Sequence, residues 1–332
     1  MPSANSYSSP GTAGGNREDL RDVLTVVAPE ATPVLSAIRK GPGPKATFTE
    51  VLVDDLRAPN LAGAPEGQDA NAFSNKAQQR ARIGNYIHIV RDDFAVTDVQ
   101  EMVEHGGGIS SEWARSKAKS LMEVKRDIEA VLCSNNDRQQ GSSSDVGWQT
   151  RGLYFWIQSA APTDVPAAYR TDAASIAAST ATDVPISGIL ANLYKFYGEP
   201  KQYFCPAGVT TISSVDNWSN VIPGATATNP SIARNDGYVA AQAINRVIKR
   251  YVTSFGTVDF VPDVFVNMTN QSGVLTGSPT AALLLNMDLL ELQWMDPIHG
   301  VELEDHAGGK RGYNKAIFSL CVKNPKGLGK LT

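Results

Sequence analysis

The hydrophobic pattern from Ala81 to Asp98, "ARIGNYIHIVRDDFAVTD", alternates as in one unusually long β-strand. Successive side chains of a strand face opposite sides, so its apolar residues fall into two sets. The early set points to one side and the late set to the other: Ile83, Ile87 and Ile89, then Val90, Phe94 and Val96. We expect the buried face to change at Arg91–Asp93, through a twist or a bulge.

A second strand, rich in Thr and Val, is predicted from Lys45 to Leu56 in "KATFTEVLVDDL". A stretch rich in Gly, Pro and Asn joins the two strands, which is typical of an antiparallel hairpin. An isolated hairpin is marginally stable in water, and the distal part of this one has only about half an apolar face. We therefore expect its outer half to leave its own domain and contact another chain. The alternative is two ordinary strands with a long loop inside one domain.

The best helical pattern lies in "ISSEWARSKAKSLMEVKRDIEAVL". Ser110 or Ser111 can cap the helix, and Glu112 suits its positive N-terminus. Apolar residues recur at steps of three and four: Trp113, Leu121, Val124, Ile128, Val131 and Leu132. The spacing predicts one helix over Ser111–Leu132, about 30 Å long, with a single apolar stripe.

The remaining pattern mixes short helices and strands, which predicts the class α+β. "RGLYFWIQSA" is apolar enough to be buried, and "KQYFCPAGVTTISS" predicts a strand that runs into a turn. The other predicted elements are short helices at Asp19–Val27, Pro33–Arg39 and Ser187–Tyr197, an exposed loop at Asp216–Gly237, two strands around Ser254–Gly256, and a strand in "YNKAIFSLCVKN".

Composition limits the classes of function. The formal net charge of the 332 residues is −4, too small for a protein that grips nucleic acid through many phosphates. The three cysteines, Cys133, Cys205 and Cys321, lie far apart, which argues against a disulfide framework or a zinc site and fits a reducing cytosol. No apolar run reaches the roughly 18 residues of a membrane span, so no membrane partner is expected.

Catalytic motifs are hard to find. "GLGKLT" departs from a phosphate-binding loop, because Asn324 replaces the required Gly and Leu331 the required Ser or Thr. The best candidate site is "HGVELEDH", in which imidazoles and carboxylates could bind a divalent metal. Its candidate ligands are His299, Glu302, Glu304, Asp305 and His306.

We favour an exposed acidic turn over a metal site there, because the stretch lacks a helical i, i+4 His pair and is followed by Gly308–Gly309. Aromatic residues near Trp148 and Tyr154 could stack on a ligand, but core packing is the better interpretation. Nothing pairs a nucleophile with a base. We expect no catalytic residue, no cofactor and no metal.

Several stretches, in order, resemble tailed-bacteriophage major capsid proteins of the SU-ten-like capsid family. They are "VAPEATPVLSAI", "RIGNYIHIVRDDFAVTDVQEMV", "EWARSKAKSLMEVKRDIEAVL", "RGLYFWI" and "TSFGTVDFVPDVFV". The resemblance covers about Asp19 to Val322 and is weakest between Ala160 and Ala243. It implies the Johnson fold, in which an N-terminal arm precedes a projecting hairpin (the E-loop), a peripheral (P) domain with a long spine helix, and an axial (A) domain.

The resemblance implies a division of the chain. Residues 1–44 would be the N-terminal arm, 45–97 the E-loop hairpin and its roots, 98–151 the P domain with the spine helix at about 111–132, 152–295 mainly the A domain, and 296–332 strands that return to the P domain. The implied function is a shell of hexamers and pentamers, assembled in the bacterial cytoplasm, that encloses double-stranded DNA in the virion.

The implied partners are other copies of the chain, a portal, a cement or decoration protein, and packaged DNA nearby. Many relatives carry a long N-terminal scaffold or a cleaved pro-segment, whereas the arm here has only about forty residues. We therefore expect a separate scaffolding protein. Three alternatives stay open: an encapsulin-like nanocompartment, a metal-dependent enzyme centred on His299 and His306, and a phage tail or decoration protein.

Overall fold

The computed structural model describes residues 28–67, 69, 73, 75–76, 80–103, 109–142, 146–160, 162–171, 184–218, 249–268, 277–305 and 308–331. The helix predicted at Asp19–Val27 and most of the loop predicted at Asp216–Gly237 lie outside these residues.

The described residues form six α-helices, three 3-10 helices of one turn each, and eleven strands. The helices are Pro33–Ala37 (α1), Asp98–Met102 (α2), Glu112–Leu132 (α3), Leu153–Trp156 (α4), Val184–Tyr197 (α5) and Val209–Trp218 (α6). The strands are Arg39–Gly41 (β1), Phe48–Val53 (β2), Ala81–Tyr86 (β3), His88–Thr97 (β4), Lys201–Ala207 (β5), Arg250–Thr253 (β6), Gly256–Pro262 (β7), Ala282–Leu284 (β8), Leu290–Leu303 (β9), Gly309–Val322 (β10) and Gly329–Leu331 (β11).

The strands form three sheets. A four-stranded sheet has the order β1-β9-β10-β4, a five-stranded sheet has the order β11-β8-β5-β7-β6, and β2 pairs only with β3. Pairing is antiparallel except for β1 with β9 and β5 with β7, which are parallel. The last strand, β11, therefore belongs with β8 and not with β10.

Helix α3 confirms the long helix predicted from the sequence. Ser111 is its N-cap, and the Ser111 hydroxyl accepts a hydrogen bond from the backbone N–H of Ala114. Val124, Ile128 and Leu132 are fully buried, so the predicted stripe faces the core. Leu121 was placed in that stripe as well, and this was wrong, because it lies at the stripe's edge and is 36% exposed.

Polar and aromatic contacts join α3 to the four-stranded sheet. The side-chain amide of Asn314 on β10 donates to the Ser120 hydroxyl (3.0 Å) and to the Lys117 carbonyl (3.1 Å). The rings of Phe94 on β4 and Trp113 on α3 lie 4.9 Å apart between centroids. The helix is thereby fixed in both position and rotation on the sheet.

The long strand predicted from Ala81 to Asp98 is in fact two strands, and this is a correction. Strand β3 pairs with β2, whereas β4 pairs with β10, and the chain passes from one sheet to the other at buried Ile87. The Ile87 N–H donates to the Thr47 carbonyl, the last bond to the first partner. The change of buried face thus comes at Ile87, several residues before the predicted Arg91–Asp93.

Other predictions in the second half hold with one exception. Helix α5 ends at Gly198, whose positive φ of 69° explains a glycine there, and β6 and β7 flank Ser254–Phe255 as predicted. Helix α4 is buried, as expected of "RGLYFWIQSA". The turn predicted after β5 is instead helix α6.

Two hydrophobic clusters form the core. One joins α3 and α4 to β9 and β10, and the other packs α5 against β5, β7 and β8. Among the described helices, none has the length and apolarity needed to cross a bilayer.

Candidate assembly arm and its anchoring

The arm consists of β2, β3 and the connection of residues 54–80 between them. Its strands pair from Phe48↔Tyr86 at the root to Val53↔Ala81, and within the described part of the chain no further strand pairs with either. This confirms the predicted antiparallel hairpin, although the paired part is short. The connection beyond Val53 has no strand pairing among its described residues.

The two ends of the arm differ in burial. Val53 and Ile83 on the paired strands are buried against the first hydrophobic cluster. Farther out, Leu56, Leu61 and Phe73 are 93%, 98% and 87% exposed. Single exposed apolar side chains are normal on a protein surface. Here, however, three large apolar side chains on the same connection are almost fully exposed, and their own chain does not cover them.

A polar network fixes the root of the arm to β10. The Asn85 side-chain amide donates to the Leu320 carbonyl at 2.9 Å, and the Asn85 side-chain oxygen accepts from the Arg151 N–H at 2.8 Å. The Ser319 hydroxyl lies 3.2 Å from the Thr49 hydroxyl and 3.3 Å from the Tyr86 carbonyl. Because buried Asn85 has donor and acceptor partners here, the root has one defined attachment.

Next to this network lies an ionic cluster centred on the buried side chain of Arg151. The Arg151 side chain is 1% exposed, and it donates to Asp137 at 2.6 Å and to both carboxylate oxygens of Asp164 at 2.6 and 3.3 Å. Its guanidinium lies over the Trp156 ring, 4.5 Å from the centroid. Burial acts to raise the pKa of Asp164, but the bonds from Arg151 and the charge of Arg138 outweigh it and hold that pKa below its usual value.

An ion pair tethers the start of the connection. The Lys326 ammonium lies 2.9 Å from the Asp55 carboxylate and also over the Phe196 ring, at 5.0 Å from its centroid. The hydrogen bond from Lys326 lowers the pKa of Asp55. Both side chains are partly exposed, so this contact contributes little to stability.

A second buried cluster lies under α1. Both carboxylate oxygens of Glu129 accept backbone N–H groups, from Val34 and Leu35, at 2.7 Å. Burial raises the pKa of Glu129 to about 7, and nearby Asp263, itself with a raised pKa, adds to the effect. The Glu129 and Asp263 carboxyl groups lie within 4.8 Å of each other, so their mutual repulsion favours one proton held between them. Glu129 thus links the N-terminal segment to α3.

This cluster is also the place where a metal ion would find ligands. Atoms of Glu129, Cys133 and Asp263 lie within 4.8 Å of one another. However, both Glu129 oxygens are occupied by backbone N–H groups, and Asp263 accepts from the Phe265 N–H at 2.9 Å and from the Cys133 thiol at 3.6 Å. Burial also raises the pKa of Cys133, which disfavours the thiolate that metals require. These residues fit a proton-sharing pair better than a metal site.

The metal candidates from the sequence are not brought together within the described residues. His299 and Glu302 lie three residues apart on the regular part of β9, so their side chains face opposite sides of the sheet. The His299 Nδ1 contacts Asp296 at 3.2 Å, and Glu302 pairs with Lys117 at 2.7 Å.

The rest of that stretch forms the turn that follows β9. Asp305 accepts from the Gly309 N–H at 2.9 Å, Glu304 is exposed, and His306 lies outside the described residues. The acidic stretch is therefore part strand and part turn.

Sequence reasoning missed the anchoring residues of the arm. Asn85 carried a usable signal, because it lies between Ile83 and Ile87 on the inward face of an alternating strand. Arg151 and Glu129 carried none, since their partners are distant in sequence or are backbone groups.

The profile of the family described as SU10 major capsid protein matches residues 5–332. No curated protein matches the chain in sequence.

Solved capsids share the fold at low sequence identity. The capsid of cyanophage P-SCSP1u is 13% identical with a TM-score of 0.59, over 95% of this chain and 92% of that one. The capsid of the native GTA particle is 13% identical with a TM-score of 0.59, over 98% of each chain. A phage G structure of major capsid proteins and decoration proteins is 10% identical with a TM-score of 0.53, over 97% of this chain and 99% of that one. The chain thus has the Johnson-type α+β capsid fold predicted from its sequence.

Proposed function

Because the chain belongs to the SU10 major capsid protein family, it is a shell subunit of a tailed-phage virion, and we propose that its arm joins neighbouring copies. Copies would assemble as hexamers and pentamers into a closed icosahedral shell around double-stranded DNA. The family is a structural one, and we propose no catalytic site. Family membership favours this function over a nanocompartment, a metal-dependent enzyme, and a tail or decoration protein.

The observation that carries the proposal is the contrast in burial along the arm. Its root is packed and hydrogen-bonded, while Leu56, Leu61 and Phe73 extend nearly bare from its own chain. Burying one such side chain contributes about 1.5–3 kcal/mol. In a homo-oligomeric shell, another copy of the same chain is always near enough to provide the cover.

Many modest contacts of this kind suit a shell. A contact of micromolar strength corresponds to about 8 kcal/mol and is reversible by itself. Several such contacts per subunit make the closed shell persistent through multivalency. Reversible single contacts also allow a wrongly placed subunit to leave before the shell closes.

The division of the chain given above is part of the proposal, with two refinements. The four-stranded sheet with α3 would be the P domain, and the five-stranded sheet with α5 the A domain. Because β9 begins at Leu290 in the four-stranded sheet and β11 pairs with β8, residues 290–295 fit the P domain and residues 329–331 the A domain.

Further partners belong to the proposal as well. A separate scaffolding protein, a portal and a cement or decoration protein would complete the head, and the phage G structure contains decoration proteins. The small net charge of −4 fits a wall next to DNA that does not bind the phosphates tightly.

The test replaces Leu56→Ser and Leu61→Ser together. Both side chains are exposed, so the thermal stability of the subunit should change little, whereas particle yield in negative-stain electron microscopy should fall strongly. The matched control, Leu56→Met with Leu61→Met, keeps the surface apolar and should assemble like the unaltered chain, with the same co-expressed scaffold if one is needed. Normal particle yield from the serine variant would overturn the proposed role of the arm.

A further inference from the structure

Arg138 contacts the root of the arm from the loop that follows α3. Its Nη1 donates to the Gly84 carbonyl on β3 at 2.6 Å. Its guanidinium carbon lies 4.9 Å from the centroid of the Phe48 ring and 5.7 Å from that of the Tyr86 ring. Phe48 and Tyr86 are the paired residues at the root, so one side chain contacts both strands of the arm at once.

The same guanidinium is held from the body of the protein. Its Nη2 lies 3.2 Å from Asp164, the carboxylate that also binds buried Arg151. Asp164 therefore connects one guanidinium that packs in the core with another that packs on the arm. A planar group with donors on several edges is needed to stack on rings and bind a carboxylate together, and arginine provides it.

The local shape of the arm supports this contact. A Cβ on Gly84 would lie 2.6 Å from the Phe48 ring and 2.7 Å from the Thr49 carbonyl oxygen. A side chain there would push the Phe48 ring away, and this ring is one of the surfaces on which Arg138 lies. Because residue 84 is a glycine, the Phe48 ring and the Gly84 carbonyl can both contact the Arg138 guanidinium.

The bonds to β10 and the contacts of Arg138 have different roles. Asn85, Thr49 and Ser319 fix the point at which the arm is attached. A short two-stranded ribbon attached along one line can still tilt about that line. Arg138 adds a contact to a different segment of the body, the loop that carries Asp164.

We propose that Arg138 is a positioning residue that fixes the angle of the arm on the body, so that the arm points at the neighbouring subunit. The proposal rests on the proposed role of the arm in assembly. It assigns a purpose to a cation–π and ion-pair contact that joins three segments distant in sequence.

The test measures the angle of the arm in the unassembled full-length chain. Cys133, Cys205 and Cys321 are all buried, so spin labels can be attached selectively to new cysteines at Leu52→Cys, an exposed position on β2, and at Lys119→Cys on α3. Pulsed electron–electron double resonance then gives the distribution of distances between the two spin labels. Subunits for the measurement come from the unassembled fraction of a size-exclusion column.

We expect Arg138→Met to lose the single narrow distance peak while the melting transition stays cooperative. Arg138→Lys should rescue only part of the peak, because an ammonium keeps the charge but not the planar stack. The matched control is Arg250→Met, which removes a guanidinium that pairs with Asp259 across β6 and β7 in the five-stranded sheet; its peak should be unchanged. Phe48→Leu removes the aromatic ring under Arg138 but leaves the Arg138–Asp164 ion pair intact. It is measured in place of Arg138→Met if the Arg138→Met variant does not fold.

An unchanged narrow peak in a folded Arg138→Met or Phe48→Leu variant would overturn the proposal, and so would an equal loss of the peak in Arg250→Met. Since the distance is measured before assembly, this result is separate from that of the serine variants at the arm tip. Normal assembly of those variants would overturn the role of the arm and leave the distance measurement valid.

Discussion

The body of this protein and its arm use apolar side chains in opposite ways. On α3, Val124, Ile128 and Leu132 are fully buried against the sheet, and each contributes to the stability of the lone subunit. On the arm, Leu56 and Leu61 are almost fully exposed and contribute nothing to it. The difference teaches that one chain can separate the residues that fold it from the residues that join it to its neighbours.

The largest expected effect comes from placing a charge in the body. Ile128→Asp would bury an unpaired carboxylate in the core, at a cost of several kcal/mol, about the whole stability of a domain. We expect insoluble or unfolded protein by circular dichroism. The matched control is Met122→Asp on the exposed side of the same helix, which should melt cooperatively.

A soluble Ile128→Asp variant that melts cooperatively would contradict the packing of α3 described here. Leu121 is not suitable for this test, because its partial exposure lets a charge reach water.

A smaller effect is expected from pH, through the carboxyl pair under α1. The pKa of Glu129 is raised from 4.5 to about 7 in the folded protein, so the folded state holds a proton that the unfolded state releases. The resulting stability is fully present below pH 4.5 and is lost as the pH rises through about 7. One carboxyl group contributes at most about 3 kcal/mol in this way.

Asp263→Asn tests this pair. It removes the Asp263 charge but leaves Glu129 buried, which is the main cause of the raised pKa, so the decline in melting temperature between pH 4.5 and 7 should become smaller without disappearing. Because the pair lies in the body, the exposed residues of the arm should be unaffected. An identical pH profile for the variant and the unaltered chain would show that the pair shares no proton.

Local patterns predicted the elements of both regions, but not the way they are connected. The helix from Glu112 to Leu132 and the hairpin strands were predictable, because their periodicity and caps lie within a few residues. The split at Ile87 was not, since it depends on β4 pairing with β10, more than two hundred residues away in the chain. Leu121 was misplaced because helical spacing alone does not show how wide the buried stripe is.

The anchoring of the arm was least predictable. Arg138, Arg151 and Asp164 meet only in the folded chain, and no spacing between them marks a motif. Alternation was enough to place Asn85 inward and to require a polar partner for it, a signal that the sequence analysis did not use, but it contains no information that the partner is on β10.

Hydrogen exchange before and after assembly tests the central claim most directly, namely that the outer arm is ordered by a neighbouring copy. In unassembled subunits, amides of the arm near Leu56 and Leu61 should exchange quickly while those of α3 near Ile128 stay protected. In particles, the arm amides should become protected and the α3 amides should change little. Equal protection of the arm in subunits and in particles would contradict the account.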